Sequence, residues 1–363
     1  MTQPRPPALG EVSPASVRGS ALGDCPTTPA TAYDAGLFDL DGVVYLGTSP
    51  VPHAAESLAV ARDGGLRAMF VTNNASRTPD QVVGVLAAAG VPATGDDVVT
   101  SAQAAAVLLA AECPDGGAVL VVGGDGLRSA VQEAGFTVVG SADDSPVAVA
   151  QGFDPSIGYD QLAEAVLAVR SGAVWVASNT DSTIPGPRGL LPGNGALVAA
   201  VSVATGATPL VAGKPDGALH AESVRRSGAR NPLVVGDRLD TDIEAAILGG
   251  TDSLLVLTGV CTVAQLLSAP VGARPTYVSA DLRGLHESHP RVELADGAPS
   301  CGGVRAVVVG DSVDVSGEGG PTAVLRAACA ASWAAVDGGS PAATRIVGAA
   351  AGALAATAAT AVG

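Results

Sequence analysis

From Ala35 onward the chain alternates short, almost unbroken apolar runs with longer alanine-rich stretches. The runs fall at residues 36–40, 68–72, 119–122, 147–150, 174–177, 233–235 and 254–257. Runs this short, with no polar alternation, indicate strands covered on both faces, which is the habit of parallel sheets. Residues 82–89, 162–169, 197–204 and 243–248 read as the connecting helices, with Thr78 before Pro79 as an N-cap. The expected fold class is α/β with a doubly wound parallel sheet. In such sheets ligands gather at the carboxyl ends of the strands.

Four polar segments stand at such ends. The first is Asp39-Leu40-Asp41-Gly42, where a spacing of two points both carboxylates the same way. One carboxylate can attack phosphorus and the other can pass a proton to and from the reacting oxygens. The second, Thr72-Asn73-Asn74, supplies a hydroxyl and two amides able to donate to a phosphoryl oxygen, although Thr and Asn also suit an ordinary turn. The third is Gly213-Lys214-Pro215, whose ammonium can offset charge between nucleophile and phosphate; a solvated surface lysine is the alternative. The fourth carries Asp237, Asp240 and Asp242 after Gly236. Carboxylates packed after a buried strand repel one another unless a cation joins them, and Mg²⁺ favours few carboxylates with water and phosphate oxygens. An N-cap cluster for the next helix is the competing account.

Composition limits the rest. With 363 residues and 47% hydrophobic content the chain can form two or three packed domains. Its net charge of -16 repels nucleic acid and anionic lipid, so neither is an expected partner. The five cysteines (Cys25, Cys113, Cys261, Cys301, Cys329) are scattered and odd in number, which fits a reducing cytoplasm rather than a disulfide framework. Residues 346–363 carry no charge and approach a membrane span in length. Their Ala and Gly content gains little from lipid, so a surface helix or frayed tail is expected and no membrane association.

Residues 1–30, rich in Pro, Ser, Thr and Gly, read as a disordered leader. The core is assigned to 31–97 and 208–288, an inserted cap to 98–207, and an Ala/Gly-rich C-terminal extension to 289–363. Within that extension 304–309 and 312–315 suit a hairpin and 322–335 an amphipathic helix. A glycine-rich stretch, Val122-Gly123-Gly124-Asp125-Gly126, evokes a dinucleotide-binding dehydrogenase but lacks the required spacing, and reads as a tight turn.

The ordered set of four segments resembles the haloacid dehalogenase (HAD) superfamily of phosphatases, class IIA, over about residues 33–285. The resemblance implies a Rossmann-like core with an inserted α/β cap and Mg²⁺ as cofactor. It implies Asp39 as nucleophile and Asp41 as general acid and base. Asp39, the backbone carbonyl of Asp41 and Asp237 would bind the metal, with Asp242 supporting them. Thr72, Asn73, Asn74 and Lys214 would hold the substrate phosphoryl group. The segments Ala177–Asp181 and Gly189–Gly195 are similar to the substrate-facing part of that cap. Ile184 stands where pyridoxal phosphatases of the class carry His, which counts against that substrate. Within the class the chain resembles bacterial glycerol-3-phosphate phosphatases, which also carry a C-terminal extension. The implied activity is hydrolysis of a small phosphate monoester, glycerol 3-phosphate first, through an aspartyl-phosphate; 2-phosphoglycolate or another sugar or polyol phosphate is the alternative. A non-catalytic protein binding a phosphorylated metabolite is the alternative from another class. Caps of this type often pair, so a homodimer is compatible with the resemblance.

Overall fold

The computed structural model describes residues 18–186 and 188–354. A six-stranded sheet runs in the order Tyr277–Ser279, Asp252–Val256, Pro232–Gly236, Ala35–Phe38, Arg67–Thr72, Val98–Thr100, with every pairing parallel. From Ala35–Phe38 the chain first builds outward on one side, then returns to build on the other. The strand order therefore reverses beside Ala35–Phe38, and the crevice beyond that strand is where such a sheet accepts a ligand.

Successive residues of a strand face opposite sides. Phe38, Phe70, Leu233, Val235, Leu254 and Val256 pack on one face. Leu37, Met69, Val71, Val99 and Val234 pack on the other, against Leu219 and Ala246. Both faces are thus dry, as expected of runs without polar alternation.

A second parallel sheet, formed between the two halves of the first, has the order Leu210–Val211, Val174–Ala177, Ala148–Gln151, Ala118–Val122, Thr137–Val139. Helices Ser101–Glu112 and Asp125–Glu133 contribute Leu109 and Leu127 to the face that carries Val119 and Val121. Tyr159–Arg170 and Asn194–Thr205 contribute Ala165 and Val201 to the face that carries Leu120 and Val149. Two short strands lie across the sequence-based boundaries. Val98–Thr100, placed at the start of the insertion, pairs with Phe70–Thr72 in the first sheet. Leu210–Val211, placed in the core, pairs with Val176–Ala177 in the second. Strands of this length take their membership from a partner, which local pattern does not record.

Residues 18–30 are not a disordered leader. Cys25 is buried and exchanges backbone hydrogen bonds with His289, and a short helix spans Pro29–Ala32. The remainder of the leader, residues 1–17, lies outside the described residues. The helix from Pro79 opens with Thr78 accepting from the Gln81 amide at 3.3 Å, a capping box with Gln81.

The C-terminal extension forms a five-stranded mixed sheet in which Val304–Val309 and Ser312–Gly317 make the expected hairpin. Helix Pro321–Asp337 packs Val324, Leu325 and Trp333 into one cluster with Leu255, Leu266 and Val278 of the core. Arg345–Val347 adds a parallel strand at the start of the segment expected to be a surface helix or frayed tail, and a short helical turn follows at Ala349–Ala351. Residues 355–363 lie outside the described residues. No helix among the described residues is long and apolar enough to cross a membrane.

Candidate active site

Asp39 follows strand Ala35–Phe38 directly, and its amide continues the ladder to Val235 O at 2.8 Å. Asp41 sits in the tight loop that follows, whose amides at Val44 and Tyr45 return to Leu40 O. Gly42 adopts φ 89° there, and a Cβ would lie 2.5 Å from Asp237 Oδ2, so only glycine lets this loop approach. Thr72 ends its strand and accepts the Asn74 amide at 3.1 Å, which leaves its own hydroxyl proton to donate. Asp237 follows strand Pro232–Gly236. Asp242 lies in the turn Leu239–Ile243 that leads into helix Glu244–Leu248.

Lys214 ties these ends together. Its Nζ donates to Asp39 Oδ1, to Asp242 Oδ1 at 2.7 Å and to Val71 O at 3.2 Å, using all three protons. Burial works against its ammonium, yet Asp242 and Asp39 outweigh that effect and hold its pKa above the ordinary lysine value. The surface-lysine alternative is excluded. Burial likewise raises the Asp39 carboxyl, with Lys214 pulling it back, and it raises the Asp41 carboxyl.

Asp237 Oδ2 accepts the Val260 amide, while its Oδ1 is buried with no hydrogen-bond partner among the described residues. Burial first, and then the charge of Asp242, push its pKa up to about 7. Carboxylate oxygens of Asp39, Asp237 and Asp242 all lie within 4.8 Å of one another. An orphaned buried oxygen inside an all-oxygen cluster is the donor chemistry a hard divalent cation requires. Asp240 stands outside this set: its carboxylate accepts from Arg238 Nε and Nη2 at 3.0 and 2.8 Å.

Asp39, Asp41, Thr72, Asn73, Asn74, Lys214 and Asp242 line one cavity of about 310 Å³. Two of these residues are engaged in ways their sequence did not indicate. The Asn73 side chain accepts the Lys214 amide at 2.8 Å and donates to Lys214 O at 3.2 Å and Asp181 Oδ2 at 3.1 Å. Its carbonyl accepts Ser101 Oγ at 2.6 Å and Asn179 Nδ2 at 2.7 Å. Asn73 therefore joins the first sheet to the second. The Asn74 carboxamide oxygen accepts the Ser76 amide and hydroxyl at 2.9 and 2.8 Å, bracing the turn.

Thr258 and Val260 had been assigned no role, whereas Asn179, Asp181 and Asn194 fall in the two segments expected to face the substrate. Thr258 Oγ donates to Gly42 O, and the Val260 amide holds Asp237. They follow strand Asp252–Val256, and their position past a buried strand was the available signal. Asp181, Asn179 and Asn194 reach the cavity from the second sheet's side. The glycine-rich stretch 122–126 is a junction rather than a nucleotide loop. The Gly126 amide donates to Ser76 O at 3.0 Å, against the Ala75–Arg77 backbone.

Comparison with known proteins agrees with this geometry. A haloacid dehalogenase-like hydrolase family model matches residues 36–137, and a HAD-hydrolase-like model matches 211–285. The chain is 47% identical over 312 residues to the D-glycerol 3-phosphate phosphatase of Mycobacterium tuberculosis, covering 84% of this chain and 87% of that protein. It is 42% identical over 230 residues to a 5′-nucleotidase of Bacillus subtilis, covering 63% of this chain and 88% of the relative. A crystal structure of a glycerol phosphate phosphatase from Mycobacterium tuberculosis in complex with magnesium superposes with a TM-score of 0.79 at 43% identity, over 93% of this chain and 99% of that one. The chain belongs to the haloacid dehalogenase-like hydrolases.

Proposed function

We propose that this hydrolase takes glycerol 3-phosphate as its substrate, with Asp39 as the nucleophile. It is a phosphoric monoester hydrolase acting on a small phosphorylated metabolite. The observation that supports the assignment of Asp39 is its carboxylate, held by Lys214 at the mouth of the switch-point crevice beside the orphaned oxygen of Asp237.

Asp39 attacks phosphorus in line, the P–O bond to the alcohol breaks, and Asp41 delivers its proton to the leaving oxygen. Partial desolvation raises the Asp41 carboxyl, the direction that favours its acid form. Asp41, now ionised, then takes a proton from the water that attacks phosphorus, and the Asp39 carboxylate is released with inorganic phosphate. Lys214 fixes the Asp39 carboxylate in position, and the Thr72 hydroxyl donates to a phosphoryl oxygen. Asn73 acts chiefly by placing Lys214, with its side chain committed to the Lys214 backbone. Asp39, Asp237 and the Asp41 carbonyl would hold Mg²⁺, with Asp242 behind them. Bound there, the cation neutralises charge on the transferring phosphoryl group and on the carboxylates.

The unit carrying the second sheet serves as a cap, excluding water from the cavity and contributing the wall that faces the alcohol. The five thiols are all unpaired, which supports a reducing compartment such as the cytoplasm.

The test is a substrate panel with Mg²⁺: glycerol 3-phosphate, 2-phosphoglycolate, pyridoxal 5′-phosphate and a nucleoside monophosphate, ranked by kcat/KM. Glycerol 3-phosphate should rank first; a higher rank for any other member removes this substrate assignment.

A further inference from the structure

The Lys214–Asp242 pair also borders a second, interior cavity. It measures about 10 Å³ and is lined by Lys214, Asp242, His220 and Ser223 with Leu37 and Val71. Space on this scale suits one water, and a water is kept where it finds two to four polar partners. His220, on helix Gly217–Ser227, is 8% exposed, and its Nε2 is buried with no hydrogen-bond partner among the described residues. The ring also borders an open cleft lined by Arg18 and Arg230, but its Nε2 is closed off from solvent there. Burial lowers the His220 pKa, so the imidazole is neutral, with one nitrogen to donate. Ser223 Oγ, fully buried, donates to Leu219 O at 2.7 Å and keeps its lone pairs to accept. Asp242 accepts from Lys214 Nζ at 2.7 Å and from the Arg238 amide at 3.2 Å, two of about four bonds a carboxylate can take.

We propose that one ordered water in this cavity joins His220 to Asp242, making His220 a positioning residue for the catalytic lysine. The inference rests on the roles given above to Asp39 and Lys214. The water accepts from His220 Nε2–H and donates to Asp242 and to Ser223 Oγ. Those three bonds give the buried Nε2 a partner, which it would otherwise lack at a desolvation cost. They also hold the Asp242 carboxylate from the side away from Asp39, which fixes the ammonium that Asp242 and Asp39 share. The neighbouring helix makes room for the ring. A Cβ on Gly249 would lie 2.3 Å from His220 Nε2 and Cδ2. Gly249 has φ -78°, open to any residue, so the close approach of His220 is what calls for glycine.

Wild type, His220→Met and His220→Gln are compared on p-nitrophenyl phosphate with saturating Mg²⁺. Met fills similar space without a donor, and the Gln amide reaches the place of Nε2. His220→Met should lower kcat roughly tenfold or more with KM within about threefold, and His220→Gln should restore kcat to within about threefold of wild type. An unchanged kcat in His220→Met, or an equal loss in His220→Gln, overturns the proposal. Where His220→Met does not fold, Gly249→Ala displaces the ring instead and should lower kcat in the same way; wild-type kcat there overturns it too. A crystal structure of the wild type should show a solvent peak within hydrogen-bond reach of both His220 Nε2 and the Asp242 carboxylate, and density without one rejects the bridge. Turnover that persists in Asp39→Asn would remove the catalytic reading itself, whereas an inactive Asp39→Asn beside an unaffected His220→Met removes this proposal alone.

Discussion

Asp237 carries a buried charge with one unpartnered oxygen, and that arrangement has a pH signature. Its folded pKa of about 7 lies above the ordinary 3.8, so the native metal-free protein binds this proton more tightly than the unfolded chain. Stability from this group is therefore highest at low pH. It is lost as pH rises from about 4 to about 7, by on the order of a few kcal/mol. Thermal melts in chelator should show the metal-free protein less stable at pH 8 than at pH 5.5. Adding Mg²⁺ should raise Tm more at pH 8, where no proton must leave. Asp237→Asn should melt at or above wild type in chelator and gain little from Mg²⁺; an equal Mg²⁺ gain in both proteins contradicts the site. Lys214→Met removes the partner of the buried Asp242 and the largely buried Asp39 carboxylates and should cost about 3–5 kcal/mol in denaturant titrations at pH 8. The candidate set was legible in part because Asp39, Thr72 and Asp237 stand at the ends of buried runs. The second role of Asn73 was not, since three of its partners, Ser101, Asp181 and Lys214, lie far along the chain.

At the scale of elements, one contact between the two parallel sheets is main chain against main chain. A Cβ on Gly126 would lie 2.3 Å from Arg77 O, and that atom belongs to rigid main chain. Gly126→Val should therefore displace helix Asp125–Glu133 from the Ala75–Arg77 loop. The expected result is a kcat/KM loss of roughly tenfold or more with Asp39, Lys214 and Asp237 untouched. Unchanged kinetics would show that this junction does not position the cap. The glycines were visible in the sequence, but a glycine that permits close approach looks like one that permits a turn. The fold class was readable from apolar runs, whereas the sheet membership of Val98–Thr100 and Leu210–Val211 depended on partners.

Across the whole molecule, the C-terminal extension is a brace on the core. Arg274 is 1% exposed, pairs with Asp337 through two contacts at 2.9 and 2.6 Å, and stacks over Trp333 at 5.0 Å. Trp333 Nε1 and Ser332 Oγ donate to Leu266 O and Leu267 O, each at 2.8 Å. Removing residues beyond 288 would bare Leu255, Leu266 and Val278, each worth about 1.5–3 kcal/mol when buried. The truncated protein should aggregate or melt well below the full chain, as read by light scattering and calorimetry. An equally stable truncation would make the extension a separate module. Sequence reading found its hairpin and helix but not this docking. Two buried arginines, Arg274 and Arg326, make much of it, and isolated arginines in a sequence look solvated.

The central claim is that Asp39 takes the phosphoryl group. Rapid acid quenching of the Mg²⁺-loaded protein during turnover of glycerol 3-phosphate, followed by peptide mass spectrometry, tests it directly. The account predicts one added phosphoryl group on the peptide containing Asp39, lost on alkaline treatment, and neither adduct nor turnover in Asp39→Asn. A phosphoryl group on another residue, or turnover that persists in Asp39→Asn, would contradict it.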